Sequence, residues 1–339
     1  MQRFVKKASA VLFCALSCAL AQEAMADCTP ASAASALPKT IERGKCYEYQ
    51  GSEAVSRTLV VQGRLTVKVG ARLEMAQGAS LKVGRGGTVT SRGAVVVGKG
   101  SSLDIDSMGT FENLGELHLR EDSRTSEGRS ATLKSSGKLV LYPNATVTLS
   151  DNSLLLMQSS TTADNAVISS QGGRVENRGT LQLSAGARVL IARNGSLSNS
   201  GRLSLGEGSG VEMSGNSMLS NRRNLDVGGT ISFGDTAAFQ NYGILNVSPS
   251  GLMQWDGGAS FNNLHAVTLQ GSMKFKGHSA CENHNGLKIA EGGVLEISDS
   301  ATAVNRGSVY NSGTLLKSGQ GVFDNKKFYF DSNAPAPGK

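Results

Sequence analysis

An asparagine or serine returns every 20 or 22 residues along most of this 339-residue chain, usually opening the phrase Asn-x-Gly-x-Leu-x-Leu. Such a period demands a solenoid, because a unit this short cannot bury its own apolar face and must share a core with the units above and below it. The clearest copies are Asn113-Leu-Gly115-Glu-Leu117-His-Leu119, Asn177-Arg-Gly179-Thr-Leu181-Gln-Leu183, Asn199-Ser-Gly201-Arg-Leu203-Ser-Leu205 and Asn241-Tyr-Gly243-Ile-Leu245-Asn-Val247, and Asn305-Arg-Gly307 opens another. Copies start at positions 69, 91, 113, 135, 157, 177, 199, 221, 241, 263, 283, 305 and 325, the one at 157 being degenerate. Even-numbered steps keep every side chain on its own face, since a strand alternates with period two.

Aligned on the asparagine, the copies form apolar columns. Two residues earlier stand Val89, Phe111, Leu133, Leu155, Val175, Leu197, Leu219, Phe239, Phe261 and Cys281. Four and six residues later come pairs such as Leu117/Leu119 and Leu203/Leu205, and a third wall contains Leu103/Ile105, Val189/Ile191 and Met253/Trp255. Each repeat therefore supplies three short alternating strands separated by the turn formers Gly, Asn, Ser and Asp. The expected fold is all-β: a parallel β-helix of about 12 turns over residues 59–330. It should be right-handed, as parallel crossovers are. The asparagine should stack at a bend, bonding its copies above and below, with the glycine after it relieving crowding.

The ends read differently. Residues 1–26 combine a basic start, the apolar run Ala8–Ala21 and the small-x-small site Ala24-Met25-Ala26, which together read as a secretory signal peptide. Cys18 after Ala15-Leu16-Ser17 offers a weaker lipoprotein alternative. No later stretch suits a membrane span. Residues 27–58 lack the repeat and read as an N-terminal cap hiding the first open sheet edge. Export permits a Cys28–Cys46 disulfide there, and 331–339, with Ala-Pro-Ala-Pro-Gly, reads as a flexible tail. The whole chain has a formal charge of +7, and losing Arg3, Lys6, Lys7 and Glu23 with the leader leaves +5. That charge is scattered, with no basic stripe of the kind that binds nucleic acid.

Chemistry is sparse. His278-x-x-Cys281-x-x-His284 has the wrong spacing for zinc, and Cys281 occupies an inward column, so neither a metal nor a cofactor is expected. Asp104-x-Asp106 places two carboxylates on one outward face, a spacing compatible with calcium or a glycosidase pair. Lys82, in Asp104's column one turn earlier, is placed to neutralise it. The four histidines show no orienting acid at a matching column, and Trp255 reads as core.

The Asn-x-Gly-x-Leu-x-Leu turns resemble the passenger β-helices of bacterial autotransporters and of filamentous-haemagglutinin-like adhesins, over roughly residues 59–330. The sequence shows neither a C-terminal membrane-barrel pattern nor an Asn-Pro-Asn-Gly secretion signature. With the leader and the lack of a catalytic cluster, the expected protein is an exported, noncatalytic rod, surface-displayed or released, with host or cell-surface glycan or protein as its partner; the periplasm is the other location. The alternative is a polysaccharide lyase or glycoside hydrolase on the same scaffold, since fold does not set function.

Overall fold

The computed structural model describes residues 28–332. The leader and the Pro-rich end of the tail lie outside them. The described chain winds into three parallel sheets of 15, 14 and 14 strands, one strand per sheet per turn, giving about 14 turns. Its one helical element is the 3-10 turn Ala34–Ala36. Stacked at about 4.8 Å per turn, the coil is a rod roughly 65 Å long.

One repeat shows the path. Ser102–Ile105 lies in the third sheet, Thr110–Asn113 in the first and Glu116–Leu119 in the second; Arg124–Glu127 then returns to the third. Each strand pairs in register with its equivalents one turn before and after, so Phe111 lies between Val89 and Leu133, and Leu117 between Val95 and Leu139. The inward columns expected from the sequence are buried together. In the lower half they become an aromatic pile. Phe233, Trp255 and Phe275 stack with centroids 5.0 and 4.4 Å apart, and Phe239 and Phe261 join them at 5.7 and 5.1 Å from Phe233 and Trp255 respectively. Such ring pairs stabilise beyond the area they bury.

The corner between the first and second sheets is built by the asparagine. Asn177, Asn199, Asn221, Asn241, Asn263, Asn283, Asn305 and Asn325 form an unbroken ladder, each Nδ2 donating to the Oδ1 of the next at 2.7–2.9 Å. The second amide hydrogen goes to backbone: Asn199 Nδ2 also donates to Asn224 O at 2.7 Å. The glycine two residues on is needed because the chain passes so close to the preceding turn that a Cβ at Gly201 would lie 1.9 Å from Gly179 O. Where glycine is replaced, at Arg223, His265, Asn285 and Lys327, the asparagine amide instead gains a contact to the carbonyl of that same residue, at 2.8–3.3 Å.

Three details depart from the sequence reading. Successive occupants of the asparagine row at the N-terminal end are Ala31, Tyr49, Val67 and Ser91, steps of 18, 18 and 24 residues. The first copy is therefore at Val67 and not at position 69; Val69 is 80% exposed, in the corner between strands Arg64–Val67 and Arg72–Met75. That corner holds four residues where Asn113 and Glu116 are separated by two, so counting back from Leu73 lands outside the core. Strands also run into the segment assigned to the cap: Thr29–Ala31, Thr40–Ile41, Cys46–Tyr49 and Ala54–Val55 extend the three sheets. These turns bring the count to about 14 rather than 12. A disulfide joins Cys28 to Cys46, with Cα atoms 4.6 Å apart. At the other end Asp331 closes the last strand, Phe328–Asp331.

Candidate functional site

The carboxylates Asp104 and Asp106 sit on the outward side of one strand and the turn after it. Asp104 accepts hydrogen bonds from Ser102 Oγ at 3.0 Å and Ser126 Oγ at 2.7 Å. Lys82 does not neutralise it. Although Lys82 shares Asp104's column, its flexible stem carries Nζ on to Asp106, 3.6 Å away. Each acid is thus engaged separately. Asp106 opens onto a shallow groove of about 520 Å³ at the corner between the third and first sheets, lined also by Arg85, Ser107, Met108, Arg129 and Ser130.

A second cluster lies on the outward face of the second sheet, around a histidine for which no acid was expected at a matching column. His118 Nε2 lies 2.9 Å from Glu116 Oε2, because residues two apart on a strand project from the same face. The hydrogen bond to His118, and then its charge, hold the Glu116 carboxyl below its usual value. Tyr142 Oη reaches toward His118 Nδ1 at 3.5 Å, and the Arg120 guanidinium lies 4.5 Å over the Tyr142 ring. His284 repeats the pairing with Glu282 at 3.0 Å. The signal that could have found both is the Glu-x-His spacing, which lies inside a strand at Glu116–His118 and runs from a strand into the following turn at Glu282–His284; comparing columns pairs residues only between turns.

The third cluster centres on Glu176, 8% exposed, whose two oxygens are held by Arg174 Nε at 2.8 Å and Arg178 Nη2 at 2.9 Å. A hollow of about 260 Å³ beside it is lined by Arg174, Asn152, Gly173 and Asn194, among others. Both guanidiniums are committed to the one carboxylate, a geometry that fixes the surface more than it offers charge to a ligand.

The other sequence candidates fall into the core or the corners. Cys281 is buried, and burial, aided by Glu282, pushes its thiol up to about 12. It therefore faces the interior while His284 turns outward to Glu282. Trp255 is fully buried with no partner for its Nε1. Asn113, Asn177, Asn199, Asn241 and Asn305 are all buried, and Gly115, Gly179, Gly201, Gly243 and Gly307 each pack against backbone of the turn before. Among the described residues no helix is long and apolar enough to cross a membrane.

Fold and surface define a β-helix protein, and the comparisons with known proteins add little beyond that class. No family model matches, and no curated protein matches. Among solved structures, the chain is similar to a hyper-glycosylated TibA fragment, glycosylated by TibC, at 15% identity over 84% of this chain and 97% of that one, with a TM-score of 0.31.

Proposed function

We propose that this protein is an exported, noncatalytic β-helix rod that acts at the cell surface or after release as an adhesin or structural interaction protein. The observation that carries this reading is the rod itself: 14 or 15 strands per sheet in continuous register, presenting long faces whose outward rows change from turn to turn. In the second sheet one such row runs Gln182, Ser204, Asp226, Asn246, Thr268 and Lys288. A stiff scaffold of this kind suits many weak contacts with an extended glycan or protein, where avidity substitutes for a deep pocket. Protease treatment of intact cells, with fractionation, tests it. Cleavage of the chain on intact cells, or its recovery from the medium, followed by binding to matrix, glycan or cells, is the expected result. A protected periplasmic protein that binds none of the three would sink it.

The second reading, a polysaccharide lyase or hydrolase, draws on the Glu116–His118–Tyr142 chain with Arg120 beside it, since a histidine held by a carboxylate and facing a phenol can move a proton. Release of reducing ends or unsaturated sugars from acidic and neutral polysaccharides, abolished by His118→Ala, is its test.

A further inference from the structure

The groove beside Asp106 differs in composition from the other corners of the rod. Arg85, Ser107 and Arg129 occupy equivalent positions on three successive turns, two residues after the inward Val83, Ile105 and Glu127. The two arginine positions are thus separated by about 10 Å along the rod, with Ser107 between them. Neither guanidinium is well neutralised. Arg129 comes no closer than 4.0 Å to Asp151, and Arg85 pairs with no carboxylate among the described residues, its Nη2 instead lying 4.0 Å from Met108 Sδ. Asp106 is balanced by Lys82 at 3.6 Å, so the groove carries net positive charge.

Met108 is a second, independent anomaly. Its φ is +62°, in the left-handed region, where the preceding turn uses Gly86 and the next uses Ser130. Among the described residues the other non-glycine positions with positive φ are Asp, Asn, Ser and Arg, and Met108 alone of these is apolar. It is also 59% exposed. A long apolar side chain held out of the core in a backbone conformation that L residues avoid adds nothing to the buried core, and retained strain of this kind clusters at binding sites.

We propose that this groove is a subsite for an acidic sugar, one that carries a carboxylate or sulfate within a longer polysaccharide. The inference rests on the adhesin reading and gives it a ligand class. The Arg85 and Arg129 guanidiniums match the two-oxygen edge of either anion. The Ser107 and Ser130 hydroxyls and the Asp106 carboxylate exchange hydrogen bonds with ring hydroxyls, and the Met108 thioether covers the apolar face of the pyranose. At 520 Å³ and open to solvent, the groove accepts one or two sugars of a chain that continues along the rod.

The test is capture of the purified full chain on immobilised polygalacturonate, dextran sulfate and neutral dextran. Binding to one or both acidic polymers and not to neutral dextran is expected, polygalacturonate preference assigning the carboxylate and dextran sulfate preference the sulfate. Arg85→Ala with Arg129→Ala should weaken capture roughly tenfold or more, as loss of charge-assisted contacts does. Arg222→Ala with Arg223→Ala, an equal loss of charge on an exposed corner elsewhere, should leave it unchanged. Met108→Gly relieves the left-handed strain and should weaken capture while the melting temperature holds or rises, which separates binding from folding. Equal losses from the two arginine pairs would overturn the subsite in favour of diffuse charge. Failure to bind either acidic polymer, while the chain still attaches to cells or matrix protein, would overturn the subsite and leave the adhesin reading standing. Failure on every surface would remove both.

Discussion

The two halves of the rod are built on one register and held by different chemistry. From Asn177 to Asn325 the corner row is an uninterrupted amide ladder, and the core beside it contains the Phe233–Trp255–Phe275 pile. Above Asn177 the same row reads Ser91, Asn113, Ser135 and Met157. Ser91 turns its hydroxyl to Gly93 O; Asn113 donates to Ser135 Oγ at 3.0 Å, but Ser135 turns its hydroxyl to Gly137 O, and Met157 has nothing to give. The Oδ1 atoms of Asn113 and Asn177 are consequently left without donors. In the same half Ser123 Oγ, Thr125 Oγ1 and both oxygens of Glu127 are buried without hydrogen-bond partners; the lower half has such groups too, Ser217 Oγ, Trp255 Nε1, Asn262 Oδ1 and Ser279 Oγ, but none of them lies on the corner row. Because each turn contacts only its neighbours, the difference teaches that solenoid stability is local: register persists across turns whose polar groups are poorly satisfied as long as the turns on either side are sound.

That contrast can be broken most severely at Trp255. Trp255→Ala should cost about 3–5 kcal/mol, as truncation of a buried aromatic does, and denaturant unfolding of the variant should show the lower half yielding first. Next comes the ladder. Asn199→Leu strands the Nδ2 of Asn177, the Oδ1 of Asn221 and the carbonyl of Asn224, for a loss of roughly 2–4 kcal/mol in thermal denaturation. An unchanged melting curve would show that the ladder holds nothing together.

The third prediction has the opposite sign. Glu127 is 2% exposed between Ile105 and Leu149, and burial drives its carboxyl well above the usual 4.5. A raised folded-state value means that the folded chain binds the proton more tightly than the unfolded one. Its contribution is therefore most favourable below about pH 4.5 and is lost as pH rises toward the folded-state value. Glu127→Leu should stabilise the upper half by about 1–3 kcal/mol, with a larger gain in melting temperature at pH 8 than at pH 5. An equal gain at both would show that the carboxyl does not titrate differently on unfolding.

The smallest effect is a repair: Ser135→Asn would supply an amide to continue the ladder below Asn113, and should gain up to about 1 kcal/mol by differential scanning calorimetry.

Much of this architecture is legible in one pass along the chain. The 20 or 22 residue period, the three apolar columns and the asparagine at the corner follow from residue order alone, because strand alternation and in-register stacking map sequence position directly onto face and sheet. That logic stops where the loops change length. The four-residue corner at Lys68–Ala71 makes the period point to Val69 although the row is occupied by Val67, and Tyr49 and Val67 stand in the asparagine row with no motif to mark them. It stops also where a column carries a polar residue, as at Glu127, which apolar periodicity does not flag and which only the closed core shows to be buried.

The surface is less legible still. Asp104 and Asp106 could be picked out as a pair, but their partners Ser126 and Lys82 come from the adjoining turns, and the groove that joins Asp106 to Arg85 and Arg129 spans three of them. Glu116, His118 and Arg120 are spaced two residues apart, yet Tyr142, which meets both His118 and Arg120, joins them only through stacking of the next turn. The sequence by itself determined the period, the faces and the core, since these depend on alternation within one strand and repetition between turns. Tertiary structure alone decided which outward side chains meet, because that depends on turn conformation, side-chain reach and the spacing of neighbouring turns, none of which is written in any single repeat.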